Sequence, residues 1–176
     1  MLRLRSLFAL PATIGLALTS FSGQSLVFRR PFTLMASGDS AAFFQLRAFA
    51  VVGASEDRAK FGNKVLRCYV KHGKDVTPVN KRSLAIEGLP CVPSLAAWVS
   101  GQQEKQQHAP DALGVSIVTP PGVTKVVIEE GYRLGLRHFF LQPGTHDKET
   151  DAWLRSCDAV KDVRVVTGCV LIELGC

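Results

Sequence analysis

The segment Val51-Val52-Gly53-Ala54-Ser55 is where residue types and spacing in this sequence suggest chemistry, and the chemistry is phosphate binding. A glycine directly after a buried-strand run allows a sharp turn and a close approach of backbone to a ligand. Gly62 follows where a helical pattern begins, and the free N–H groups of a helix start attract phosphate. Ser55 adds a hydroxyl donor, and Arg58, Lys60 and Lys64 add positive charge beside it. The spacing is not G-x-G-x-x-G, which argues against a standard NAD grip. A plain tight turn beside a solvated basic helix start would leave the same trace.

The end of the next strand discriminates further. NAD-binding folds commonly place an acid there to accept from the ribose hydroxyls; this chain has Val79, Asn80, Lys81 and Arg82. Two cations favour a phosphorylated ribose, so CoA with its 3′-phosphate and NADP with its 2′-phosphate both qualify, against the alternative of a solvated basic loop. Val118, Thr119, Pro120 and Pro121 end the third strand, where two prolines remove N–H donors and stiffen an apolar wall. Gln142, before Pro143-Gly144, places an amide at the same edge.

Catalytic groups are sparse. His72 closes a helix, where a cation suits the dipole. His108 lies in a polar loop, His138 begins a strand, and His146 lies beside Asp147. Cys169 reads as a small buried residue rather than a reactive thiol. No Ser/His/Asp arrangement is brought together by the order of elements.

The elements that position these residues follow from alternating apolar runs and helical patterns, the signature of a parallel sheet covered on both faces. Strands are expected over 47–55, 75–80, 112–119, HFFLQPG and DVRVVTGCVLIEL, the last with a short continuation. Helices are expected over NKVLRCYVKHG, SLAAWVS with Ser94 as N-cap, PPGVTKVVIEEGYRLG and DKETDAWLRSCDAV, the last with acids at its start. GQQEKQQHAP reads as an exposed loop. The fold class is therefore α/β, a Rossmann-like, doubly wound, mainly parallel five-stranded sheet in a single domain.

The 176 residues suit one core plus an extension. Residues 1–38 hold Arg3, Arg5, Arg29 and Arg30 and no acid, so they supply +4 of the formal +6. The remainder is too nearly neutral for a nucleic-acid face. The extension reads as a mitochondrial targeting segment, disordered or cleaved, and its apolar run is short for a membrane span. A secretory or plastid-type signal and a cytoplasmic start at Met35 are the alternatives. Cys68, Cys91, Cys157, Cys169 and Cys176 are odd in number and show no ligand spacing, so all are expected as reduced thiols.

Over about residues 45–175 the chain resembles the CoA-binding domain family, the small stand-alone relatives of the N-terminal domain of the succinyl-CoA ligase alpha subunit, within the NAD(P)-binding superfamily. The resemblance is carried by FAVVGASEDRAKFGNKVLR, VTPVNK, IEGLPCVPSL, VSIVTPPGV, and FFLQPG followed by VVTGCVLIE. It implies a Rossmann-like fold with CoA at the strand ends. Gly53, Ala54 and Ser55 would then meet the CoA phosphates, Lys81 the phosphorylated ribose, and Val118, Thr119 and Pro120 the adenine. The ligase's phosphorylated histidine belongs to a second domain that these residues do not include, so ligase activity is not implied. The family often has proline after VN, where Lys81 stands here.

The expectation is thus a module binding CoA or acyl-CoA, regulatory in role and without catalytic machinery. Its ligand is a small adenine nucleotide, with no nucleic acid and no membrane in the mature form. A small NADP-dependent oxidoreductase, and a scaffold that has lost its ligand, are the rival readings.

Overall fold

The structure is a computed structural model that describes residues 33–35, in backbone only, and residues 40–105, 107–156 and 162–176. In chain order the elements are β1 (Thr33–Met35), α1 (Ser40–Phe43), β2 (Ala48–Val52), α2 (Phe61–Lys71), β3 (Val76–Val79), β4 (Ala85–Ile86), β5 (Leu89–Pro90), α3 (Leu95–Glu104), β6 (Leu113–Ile117), α4 (Pro121–Arg133), β7 (His138–Leu141), α5 (Lys148–Ser156), β8 (Arg164–Thr167) and α6 (Val170–Glu173). Six strands form one parallel sheet in the order β1-β8-β7-β6-β2-β3.

The five strands read from the apolar runs are all present, and the sheet is Rossmann-like and doubly wound. After β2 the chain passes to β3 on one side, then crosses back to β6 on the other. The register keeps Val52, Val79, Ile117 and Leu141 level. Their carboxyl ends therefore share one edge, with the strand order reversing at β2, the place where such sheets bind ligands.

Alternation along each strand splits the core in two. Ala48 and Ala50 of β2 join Val115, Ile117, Phe139, Leu141 and Val165 under α3 and α4. Phe49 and Val51 face the other way, toward α1, α2 and α6. That second layer holds an aromatic cluster in which Phe43, Phe49 and Phe140 meet at centroid distances of 5.3–5.5 Å. Tyr69 packs beside Phe49, and its hydroxyl lies 2.6 Å from Ser116 Oγ, both residues being fully buried. Burial pushes the Tyr69 phenol above the usual range.

Several expectations are corrected. The sheet has a sixth strand, β1, which pairs with β8 and lies inside the segment read as a targeting extension. The rest of that segment, and Cys157, lie outside the described residues. GQQE is not loop: α3 runs through it, because Gln and Glu are good helix formers and Gln102 reaches a buried position. The short continuation after the fifth expected strand is the helix α6, whose N-cap is Cys169. A β4–β5 hairpin forms in IEGLPCVP, turning on Glu87 and Gly88 at φ 52° and 78°. Pro78 sits within β3, tolerated because β3 is the last of the sheet's named strands. Cys68 and Cys176 form a disulfide across 108 positions with Cα atoms 5.9 Å apart, whereas Cys91 and Cys169 are free.

One contact fixes α2 against the sheet. Gly53 adopts φ 91°, and a Cβ there would lie 2.8 Å from the Val118 carbonyl oxygen. A Cβ on Gly62 would overlap the Gly53 carbonyl itself. Gly62→Ala is therefore expected to destabilise the protein by about 1–3 kcal/mol. Gly101→Ala, in α3 with open space around the added carbon, should instead stabilise it by up to about 1 kcal/mol. Denaturant titration of the two variants checks both signs. Tyr69→Phe leaves the buried Ser116 hydroxyl without the Tyr69 partner and should cost about 1–3 kcal/mol in the same measurement.

Candidate functional site

At the level carboxyl ends of β2 and β3 opens a cleft of about 320 Å³. Val52 and Gly53 form its floor, with Val79, Asn80 and Lys81 on one side. The start of α3, Pro93 to Leu95, and the outer face of α4, Val123, Val126, Val127 and Glu130, complete it. Val123 and Val126 are 48% and 60% exposed, so the α4 wall presents apolar surface to solvent. Ser94 caps α3 as the sequence suggests, its side chain accepting from the Ala97 N–H at 3.2 Å.

The loop from Gly53 to Lys60 is held from three sides. Asn80 Nδ2 donates to the Ala54 carbonyl at 2.8 Å. Asn63 Nδ2 donates both to the Ser55 carbonyl and to Glu87 Oε1, each at 2.9 Å. Ser55 Oγ accepts from the Asp57 N–H at 3.2 Å, a local turn that fixes the hydroxyl. Asn63 is fully buried and also accepts from Arg67 Nε at 2.9 Å, so one side chain ties loop, hairpin tip and helix together.

Helix α2 opens onto this loop with Lys60 at its N-cap, no side-chain cap bond and no acid in its first turn. Within the helix no acid offsets its positive dipole end, and Asp57, three residues before the N-cap, accepts from the Ala59 N–H at 2.9 Å. The start of α4 differs. Pro120 and Pro121, which carry no N–H, occupy its N-cap and first position, whereas Phe61 and Gly62 keep theirs in α2; in both helices the N-cap carbonyl accepts from the third and fourth residues after it. Of the two helix starts, α2 is the better anion seat.

The structure brings Gly53, Asn80 and Lys81 together at the cleft and sets Ala54 and Gly62 immediately behind. Ala54 is buried, so its carbonyl serves Asn80. Lys60 stays exposed at the α2 tip. Arg58 is exposed and pairs with Glu87 Oε1 at 3.2 Å, which places it toward the hairpin. Arg82 is exposed and does not line the cleft; its backbone N–H donates to Asn80 Oδ1 at 2.8 Å. Val118 and Thr119 lie half-buried beside Gly53, and Pro120 is exposed at the head of α4. Gln142 is fully buried, and its Oε1 accepts from the Val170 N–H at 3.1 Å, which anchors α6.

Sequence reasoning missed Asn63, Val123 and Val126. A buried Asn one residue after the helix-start glycine, and two valines on a helix face otherwise polar, were the available signals. Cys91 was missed too: its thiol lies 3.6 Å from the Asn80 carbonyl, and burial pushes it up. His146 pairs with Asp151 at 3.0 Å and does not line the cleft. Asp147 caps α5, accepting from the Thr150 N–H and hydroxyl, which holds its carboxyl below the usual range.

The arrangement offers backbone and positive charge at one end and apolar surface at the other, which suits a phosphorylated, partly apolar small molecule. No helix among the described residues is long and apolar enough to cross a membrane.

Comparison with known proteins points the same way. A conserved hypothetical protein from Pyrococcus furiosus is 30% identical, with 72% of this chain and 98% of that one covered and a TM-score of 0.58. A protein from Thermus thermophilus is 25% identical over 77% of this chain and 92% of its own, at TM-score 0.57. A hypothetical protein from Pyrococcus horikoshii, at 24% identity, covers 82% and 93% with TM-score 0.60 and shares the fold. No curated protein is significantly similar. The CoA binding domain family matches residues 47–175, the whole span from β2 to the last glycine. With its glycine turn, uncapped α2 and doubly wound sheet inside that match, the chain belongs to the CoA binding domain family.

Proposed function

We propose that the protein binds CoA or an acyl-CoA in the cleft above β2 and β3, and that it acts as a ligand-responsive module without turnover. The observation that carries this reading is the bare backbone turn at Gly53, closed over by Gly62 and facing the uncapped, acid-free start of α2. In this reading the CoA diphosphate meets the amides of Gly53 to Ser55 and the α2 tip. Lys81, the cation that lines the cleft, meets the 3′-phosphate. Val123 and Val126 supply the apolar wall for the adenine or the pantetheine arm. The cation pair read from the sequence reduces here to Lys81, because Arg82 lies outside the lining.

Titration calorimetry with CoA, dephospho-CoA and NADP tests the assignment. CoA is expected to bind about three- to tenfold more tightly than dephospho-CoA, the range of one partly exposed charge pair, and Lys81→Gln should erase the difference. Equal affinity for CoA and dephospho-CoA removes Lys81 from the ribose phosphate. NADP binding more tightly than CoA replaces the proposal with the oxidoreductase reading.

A further inference from the structure

On the far side of α2, away from the cleft, lies a second recess of about 290 Å³. It is lined by Lys64, Arg67, Cys68, Lys71, Leu171 and Cys176, and shares no residue with the cleft lining. The disulfide between Cys68 and Cys176 therefore faces an open hollow whose lining, among the described residues, holds three cationic side chains and no acidic one. The two cysteines differ: Cys68 is buried at 2% exposure, while Cys176 is an exposed residue.

His72, one turn after Cys68 on the same helix face, completes the group. Its Nδ1 lies 2.9 Å from the Cys68 carbonyl oxygen, and a carbonyl can only accept, so this hydrogen bond keeps the proton on Nδ1. That same N–H lies 3.7 Å from Cys176 Sγ and 4.0 Å from Cys68 Sγ. It is placed to stabilise a thiolate released on either sulfur.

We propose that Cys68–Cys176 is an exchangeable disulfide that takes low-molecular-weight anionic thiols into a mixed disulfide at Cys176, the Lys64, Arg67 and Lys71 recess selecting for negative charge. An incoming thiolate attacks Sγ of the exposed residue Cys176, which lines the recess, and forms a new S–S bond. The electron pair of the old bond leaves on Cys68 Sγ, beside the His72 N–H, and that thiolate then takes a proton from water. The incoming sulfur is oxidised, and Cys68 is reduced. Thiolates attack whichever sulfur access permits, and nearby cations favour both the approach of the anion and the departure of the thiolate.

Cys68, His72 and Cys176 also lie close enough, within 4.8 Å of one another, to suggest a metal site. Charge decides between the readings. Sulfurs bonded to each other offer no thiolate to a metal, and in the reduced state three lining cations oppose a fourth positive charge.

The proposal does not depend on the nucleotide cleft, and its test separates the two. The oxidised full chain is mixed with glutathione, CoA or cysteamine at equal thiolate concentration, quenched with acid, and mapped by peptide mass spectrometry. Glutathione and CoA are expected to modify Cys176 about tenfold faster than the cationic cysteamine at about 0.01 M salt. The preference should vanish near 1 M salt, where the Debye length falls to about 3 Å. Lys64→Gln with Lys71→Gln, both exposed positions, should reduce it at low salt, while Lys105→Gln, an exposed cation at the end of α3 that lines neither hollow, leaves it unchanged. Rates that follow thiol basicity alone, without salt dependence, overturn the proposal. So does reduced protein that retains one zinc ion per chain against a chelator, which would establish the metal site instead.

Discussion

The first turn of α2 rests on the Gly53 carbonyl with no side chain between them, and the geometry of the ligand edge follows from that backbone-to-backbone contact. It sets the distance of the helix from the end of β2 and aims the helix start at the strand edge. It also places Asn63, the next residue, where its amide reaches the Ser55 carbonyl. From the other side Asn80 grips the Ala54 carbonyl, so the loop is clasped by the ends of two neighbouring elements. Removing either glycine's freedom would disturb the cleft before it disturbed the core.

Much of this was legible in the sequence, for definite reasons. The strands β2, β3, β6, β7 and β8 are continuous apolar runs of a sheet covered on both faces, and each ends in Gly, Asn, Thr or Gln at the ligand edge. Gly53 and Gly62 could be read because glycine is what a turn at φ 91° and a contact without Cβ require. What escaped depended on distant partners. Arg58 looks like a phosphate ligand until Glu87, 29 positions on, is seen to hold it. Gln142 divides its amide: Oε1 accepts from the Val170 N–H, while the buried Nε2 has no partner among the described residues. The two-residue strands β4 and β5 are too short to leave a period. No spacing rule joins Cys68 to Cys176, whose pairing exists only because α6 packs back upon α2.

The two faces of the sheet carry different tasks. The layer under α3 and α4 is mainly aliphatic, with Trp98 and Phe139 among it, and supports the apolar wall of the cleft, through Val127 buried beside exposed Val123 and Val126. The layer under α1, α2 and α6 is aromatic and carries the disulfide at its rim. Helix α2 reaches both recesses: its first turn meets the strand edge at Gly53, and its last turn bears Cys68, with His72 as its C-cap. Membership of the CoA binding domain family bears on the proposed role of the first.

The loop beside Gly53 is stitched at Ala54, Ser55 and Asp57 by the chain's own hydrogen bonds. A guest molecule arriving there meets a preset jaw rather than a flap that must be ordered around it. Little of its interaction energy is consumed in freezing chain motion, and so even a modest number of contacts can hold it.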